Sequence, residues 1–270
     1  MSLQAKDVAA YLANGYLSPV KALDADEVSR FRVRFDGYTA KNAGALEAAP
    51  ARERRTIYAQ THLSLPWVHD IVRHDRILDA VCAVLGPDIL VWESNWFVKF
   101  PHDPTFVSWH QDAAYWGLSP PKVVTAWVAL SPSNEANGCL RVVPGSHHTV
   151  LPQSETYARD NALSRGQEIS VKIAETEAVS LLLNPGEMSL HDIGIAHGSK
   201  ANASDVPRIG LAIRYIAPEV AQAGRRQYAL LVRGRDDYGH FDLAPSPRDE
   251  ASGRRMREEA ERRMMTNIMR

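Results

Sequence analysis

Four side chains in two short stretches could carry the chemistry of this 270-residue chain. Trp109-His110-Gln111-Asp112 sets an imidazole and a carboxylate two residues apart, and His197-Gly198-Ser199 supplies a second imidazole, followed eleven residues later by Arg208. On a strand or its extended continuation, positions i and i+2 point to the same side, so His110 and Asp112 can reach one metal ion. Two His and one carboxylate occupy one face of an Fe(II) ion and leave the other face open, the donor set of non-haem oxygenases. A guanidinium at Arg208 could grip a carboxylate through two parallel hydrogen bonds, for which Lys is a poor substitute. A lone His-x-Asp pair is common on protein surfaces; the four residues together are not.

The chain has ten His, so the distal ligand involves a choice. The competitor is His191, in Ser189-Leu190-His191-Asp192. Eleven residues from His197 to Arg208 fit one strand, a turn and the next strand side by side, whereas His191 lies seventeen before it. His197 is the expected ligand, with His191 lining the pocket or supporting the ligands. Asp112 also narrows the reaction. Ala or Gly there would leave the metal a position for chloride, so Asp112 favours hydroxylation or desaturation over halogenation.

The elements that must position these residues change character along the chain. Residues 1–88 read as a helical buttress. It holds a helix over 4–14 closed at Gly15, a short strand at Tyr16-Leu17 and a second helix capped by Asp24 or Asp26 and running to about Phe35. A third helix over about 66–85 shows Val68, Ile71, Val72, Ile77, Leu78, Val81 and Leu85 at helical spacing, stopped by Gly86-Pro87. Segments 89–100, 123–130, 140–143, 169–173, 179–183 and 209–216 are rich in β-branched and aromatic residues and are separated by Pro, Gly, Asn and Asp clusters. Residues 89–245 are therefore expected to form the core of a mainly β fold, a double-stranded β-helix of jelly-roll type, in a single domain. Residues 246–270 read as a charged helix whose alternating Arg and Glu face solvent. Its apolar positions, among them Met256, Ala260 and Met264, are left to dock on the body or on a second copy, which keeps a homodimer open.

Composition excludes several partners. With 45% apolar and 23% charged residues and a formal net charge of −1, nothing points to nucleic acid or an anionic membrane surface. No apolar run reaches the length of a membrane span, and the start of the chain lacks a signal pattern. Cys82 and Cys139 read as free thiols, which fits a reducing cytoplasm where ferrous iron also persists.

The stretches around the ligands resemble the phytanoyl-CoA dioxygenase superfamily over about residues 90–220. Asn137-Gly138-Cys139-Leu140-Arg141-Val142-Val143-Pro144-Gly145-Ser146-His147 is similar to its NGxLxxxPGSH signature, and Trp109-His110-Gln111-Asp112 to its first metal motif. The segment from His197 through Ser199, Asn202 and Ser204 to Arg208 is similar to its HxSxxNxSxxxR pattern. The resemblance implies an Fe(II)/2-oxoglutarate dioxygenase with iron on His110, Asp112 and His197, and O2 as co-reactant. It further implies Arg208 on the distal carboxylate of 2-oxoglutarate, Ser199 helping to hold it, and Lys99 and Trp127 on strands lining the cosubstrate pocket. Core packing is the competing reading of Trp127. Pro144-Gly145-Ser146 is expected as a turn at the barrel mouth, with His147 hydrogen bonded in a loop. A weaker similarity, in Ser189-Leu190-His191, 229–234 and 238–241, is to bacterial hydroxylases of aminoalkylphosphonates.

Tyr115 and Trp116 follow the metal motif on a loop expected over the iron, suited to an apolar substrate or a quaternary ammonium. Arg141, Arg214 and Arg233 are the candidates for an anionic substrate group, with Arg141 taken as the site residue. The expected substrate is a small polar or zwitterionic metabolite. Two other classes compete: a two-His-one-Asp hydrolase of zinc type, which would not need Arg208, and a jelly-roll binding module without catalysis.

Overall fold

The computed structural model describes residues 3–50, 53–247 and 249–268. Six helices and one strand come first: α1 (Ala5–Asn14), β1 (Tyr16–Lys21), α2 (Ala25–Lys41), α3 (Ala43–Ala48), α4 (Arg55–Tyr58), α5 (Pro66–Val72) and α6 (Asp75–Leu85). The barrel opens with β2 (Ile89–Lys99), β3 (Val107–His110), a one-turn helix α7 (Ala113–Trp116), β4 (Leu118–Ser119), β5 (Val123–Ala129) and β6 (Leu140–Val142). It continues through β7 (Gln153–Glu155), β8 (Gln167–Ile169), β9 (Val179–Leu181), β10 (Glu187–Asp192), β11 (His197–Ser199) and β12 (Arg208–Ile216). Last come β13 (Ala221–Gln222), β14 (Tyr228–Arg233), β15 (Asp242–Leu243) and the closing helix α8 (Glu250–Ile268).

Two sheets face one another, one of seven strands in the order β1-β10-β5-β12-β2-β14-β15 and one of four in the order β3-β11-β6-β9. This is the expected mainly β, jelly-roll architecture with flanking helices. Side chains of the larger sheet alternate between two jobs. On β12, Ile209, Leu211, Ile213 and Tyr215 join the apolar core with Ile71 of α5 and Ile77 and Val81 of α6. The intervening Arg208, Ala212 and Arg214 instead line the cavity between the sheets. A β-bulge interrupts the ladder on β2: Arg214 pairs with Glu93 and Tyr215 with Val91, leaving Trp92 as the additional residue. Residues on either side of it keep their own alternation, Val91 and Trp96 in the outer core and Glu93, Asn95 and Phe97 toward the cavity.

Several sequence expectations are corrected. The helix expected over 66–85 is two helices, broken where His74 takes an extended conformation (φ −63°, ψ 127°) as the N-cap of α6. The second helix does start at Asp24, whose carboxylate accepts the Glu27 amide, but runs on to Lys41. The strand expected over 169–173 is displaced, β8 ending at Ile169. β11 and β12 do not lie side by side: they belong to opposite sheets, and residues 200–207 cross between them. On α8, Ala260 and Met264 are buried against the body of the same chain. Its charges pair along the helix, Arg257 with Glu261 at 3.0 Å and Arg263 with Glu259 at 2.9 Å. These do not simply face solvent: Arg257 also donates to Tyr38 and the Thr56 carbonyl, and Arg263 to Asp242 and Tyr228. Among the described residues no helix is long and apolar enough to cross a membrane, and Cys82 and Cys139 are free thiols.

Candidate metal centre

The short sheet brings the two distant motifs together. His197 on β11 stands opposite His110 on β3 in the antiparallel register, and their rings lie 4.1 Å apart. Asp112 completes the group from a position the sequence reading did not foresee. β3 ends at His110, and Asp112 adopts a helical conformation (φ −60°, ψ −36°) as the N-cap of α7, so a turn and not strand periodicity aims its carboxylate. Gln111 fixes that turn. Its side-chain amide donates to the carbonyls of Ser146, Thr149 and Gly194 at 3.2, 2.8 and 2.6 Å, and its oxygen accepts the Leu151 amide.

One donor atom from each of His110, Asp112 and His197 lies within 4.8 Å of the other two. Nε2 of His110 is 3.3 Å from Asp112 Oδ1 and Nε2 of His197 is 3.9 Å from Oδ2. Donors bound to one ion at about 2.1 Å stand roughly 3–4 Å apart, so the spacing fits a single metal. The tautomers fit as well. Nδ1 of His110 donates to the Ser108 carbonyl (2.9 Å) and Nδ1 of His197 to the Ile195 carbonyl (3.0 Å), which leaves both Nε2 lone pairs facing the carboxylate. Burial and the neighbouring His110 push the His197 pKa down to about 4. Burial opposes the Asp112 charge, but His197, His110 and Arg214 outweigh it and hold the carboxyl at about 2. At neutral pH His197 is therefore a neutral imidazole and Asp112 a carboxylate, the protonation states a metal requires. His191 lines the cavity from β10, its ring 5.1 Å from that of His197, and is not one of the three grouped donors.

The larger sheet supplies cations. Arg208 is 2% exposed; its Nη1 donates to the Gly138 carbonyl at 2.6 Å, and its guanidinium carbon lies 5.2 Å over the Trp127 ring. Its Nε has no hydrogen-bond partner among the described residues. Burial lowers its pKa to about 10, and no carboxylate pairs with it among those residues, so a buried guanidinium faces the cavity ready for an anion. Lys99, also 2% exposed, reaches Ser199 Oγ at 2.6 Å and the Lys200 carbonyl. Burial, with Arg208 as the next cause, lowers the Lys99 amine to about 6.

Two glycines make this arrangement possible. Gly138 has φ +72°, and a Cβ there would stand 2.1 Å from the Lys200 carbonyl oxygen, so only glycine lets the loop deliver its carbonyl to Arg208. A Cβ at Gly210 would stand 1.9 Å from the Trp127 ring. Trp127 thus lies flat on β12 beneath Arg208, a cavity-lining role as well as a packing one. Asn202 holds the crossing loop together, donating to the carbonyls of Lys99, Phe100 and Val206.

Tyr115 and Trp116 line the cavity from α7, Tyr115 under Arg165 and Trp116 against Trp92. Of the three arginines considered for a substrate anion, Arg141 turns away, pairing with Glu175 at 2.6 Å over the Trp109 ring, and Arg233 pairs with Asp79. Arg214 is the one of the three inside the cavity, which corrects the choice of Arg141. Arg55, Glu93, Asn95 and Phe97 also line it and were not singled out from the sequence. A signal existed: Glu93 and Lys99, like Arg208 and Arg214, are six residues apart, an even spacing that shares one strand face. His147 occupies its expected loop, its Nε2 donating to the Leu12 carbonyl at 3.1 Å.

Residues 11–210 match the family model described as phytanoyl-CoA dioxygenase. The chain is 24% identical over 259 residues to ectoine dioxygenase of Streptomyces anulatus, covering 89% of this chain and 86% of that one. It is 30% identical over 161 residues to the probable alpha-ketoglutarate-dependent hypophosphite dioxygenase of Stutzerimonas stutzeri, covering 58% and 56%. Among solved structures, the non-heme monooxygenase ThoJ in its apo form superimposes with a TM-score of 0.84 at 34% identity, over 97% of both chains.

Proposed function

The chain belongs to the phytanoyl-CoA dioxygenase family, and on that premise we propose that it is an Fe(II)- and 2-oxoglutarate-dependent dioxygenase that hydroxylates an unactivated C–H bond of a small polar or zwitterionic molecule. One observation carries the reading: the grouped donors of His110, Asp112 and His197 share a cavity with Arg208, a buried guanidinium that has no carboxylate partner among the described residues. A two-His-one-Asp hydrolase gives Arg208 nothing to hold, and a binding module needs no such donor set.

His110, Asp112 and His197 would hold the iron, and Arg208 the distal carboxylate of 2-oxoglutarate, with Ser199, Lys99 and Trp127 around it. When bound, iron and 2-oxoglutarate supply O2 activation coupled to decarboxylation, giving succinate, CO2 and a hydroxylated substrate. The protein's share is positioning. The carbonyls of Ser108 and Ile195 fix the two imidazoles, Gln111 fixes the carboxylate, and the Trp127 face orients the planar Arg208 fork. Trp116 and Tyr115, lining the cavity from α7, would shield it from water.

An aminoalkylphosphonate is the most specific substrate we put forward, and the hypophosphite-oxidising relative is a phosphorus-compound dioxygenase by its name. Free thiols and a ferrous site both suit the cytoplasm. The test is succinate formation after anaerobic reconstitution with Fe(II), then exposure to O2 and 2-oxoglutarate across a panel of small metabolites that includes aminoalkylphosphonates. Substrate-dependent succinate, lost in Asp112→Ala, is the expected result. No turnover, with no effect of 2-oxoglutarate on metal affinity, sends the assignment back to the hydrolase or the binding module.

A further inference from the structure

Arg208 is not the only guanidinium on the inward face of β12. Arg214 lies six residues further along the same face and is 7% exposed. At about 3.3 Å per residue the two are separated by roughly 20 Å along the strand, too far to share one small dicarboxylate. Arg214 is held between two aromatic faces, its guanidinium carbon 5.7 Å from the Phe97 ring and 5.3 Å from the Trp116 ring. Its Nε and Nη1 are buried and have no hydrogen-bond partner among the described residues.

Charge accounting separates Arg214 from its neighbours. Glu93 is buried and is the carboxylate nearest at hand, but Arg55 takes it first, Nη2 to Oε1 at 2.7 Å. The other oxygen of Glu93 is 3.7 Å from Arg214 Nη1, beyond hydrogen-bond reach. Asp112 is committed to the two imidazoles. One carboxylate thus stands against two guanidiniums, and the surplus charge sits on the one with free donors. A buried guanidinium that shares its one carboxylate and has open donors is costly unless a ligand supplies a further anion.

Resting on the dioxygenase reading above, we infer that Arg214 anchors an anionic group of the substrate itself, a carboxylate or phosphonate, at the opposite end of β12 from the cosubstrate clamp at Arg208. Phe97 and Trp116 cover the faces of the guanidinium, so an anion is taken at its edge, where Nε and Nη1 have open donors. A substrate fixed there at one end presents its other end toward the His110, Asp112 and His197 donors. The anion therefore selects the substrate class and sets which carbon is reached.

The test is calorimetric titration, without O2, of protein loaded with Mn(II) and 2-oxoglutarate. The probes are 2-aminoethylphosphonate, its carboxylate counterpart β-alanine, and ethylamine, which lacks the anion. At least one of the first two should bind ten times or more tighter than ethylamine, and their ratio identifies the preferred anion. Arg214→Gln should weaken that probe at least tenfold while changing the 2-oxoglutarate Kd less than twofold. Arg214→Lys, which keeps the charge and loses the fork, should fall between and serves if the Gln variant does not fold. Unchanged probe binding in either folded variant, or ethylamine binding as well as the anions, overturns the assignment of Arg214 alone. Failure of the wild-type protein to bind 2-oxoglutarate overturns the dioxygenase reading and this inference with it.

Discussion

The four-stranded sheet presents its two histidines from β3 and β11, strands of four and three residues, whereas the seven-stranded sheet presents Arg208 and Arg214 from the nine-residue β12, paired on both sides. The short strands leave little backbone ladder to hold a side chain, so the metal donors depend on individual hooks: two imidazole-to-carbonyl bonds and the four bonds of the Gln111 side chain. On the long sheet the ladder itself fixes the cations, and side chains only refine their aim. The metal half is therefore built from local polar contacts and the organic half from extended pairing, and the two should fail separately.

The largest expected effect tests that separation at the metal. Asp112→Ala should abolish turnover and lower metal affinity by more than the roughly 10–100-fold that loss of an outer partner costs. Metal titration by calorimetry reads this, while the circular dichroism spectrum stays that of the wild type; a collapse of the fold in the variant would mean the halves are not separable.

The next effect lies on the other sheet. Arg208→Gln should raise the 2-oxoglutarate Kd by roughly 30-fold or more, the cost of about 2 kcal/mol upward for truncating one side of a buried charge pair. Metal affinity without 2-oxoglutarate should stay at the wild-type value. Equal loss of both affinities would merge the two regions into one unit.

Gly210→Ala is a milder lesion aimed at the ladder. The added methyl collides with Trp127, so stability should drop by about 1–3 kcal/mol, read by denaturant titration. 2-Oxoglutarate binding should weaken, because Trp127 backs Arg208.

The last effect is on pH dependence. The Lys99 amine has a folded pKa of about 6 against an ordinary value of 10.5, lowered by burial first and Arg208 second. Between these values the unfolded chain holds a proton that the folded chain lacks. This group therefore makes stability rise as pH rises from about 6 toward 10.5, by at most about 1.4 kcal/mol per pH unit. Denaturant titrations at pH 6.5 and 8.5 should show the wild type gaining on Lys99→Met over that interval. A constant difference between the two would place the Lys99 charge outside the cluster.

The same contrast explains what was legible from sequence. His110, Asp112, His197 and Arg208 stood out because their residue types are chemically narrow and their motifs are local. β10 was not read as a strand because only Met188 and Leu190 point to the core, while Ser189 and His191 lie on its other face. A strand with one polar face carries half the apolar signal. Arg214 could not be told from Arg141 and Arg233, since all three sit on strands and only sheet order decides which face borders the cavity. The crossing of residues 200–207 between sheets was likewise invisible, because a separation of eleven residues fits a hairpin equally well.

The bulge at Trp92 gives β2 one residue of slack. In a regular strand the loss of one residue turns a whole flank over to the other face. In β2 the loss of Trp92 itself leaves Glu93 opposite Arg214 and Val91 opposite Tyr215, with both flanks on their present faces. A deletion elsewhere in the strand turns over only the residues between it and Trp92, because the ladder closes up by giving up the bulge. A change of length is therefore absorbed best at Trp92, where it removes the indole hydrogen bond to Gln227 and leaves the wet and dry sides in place.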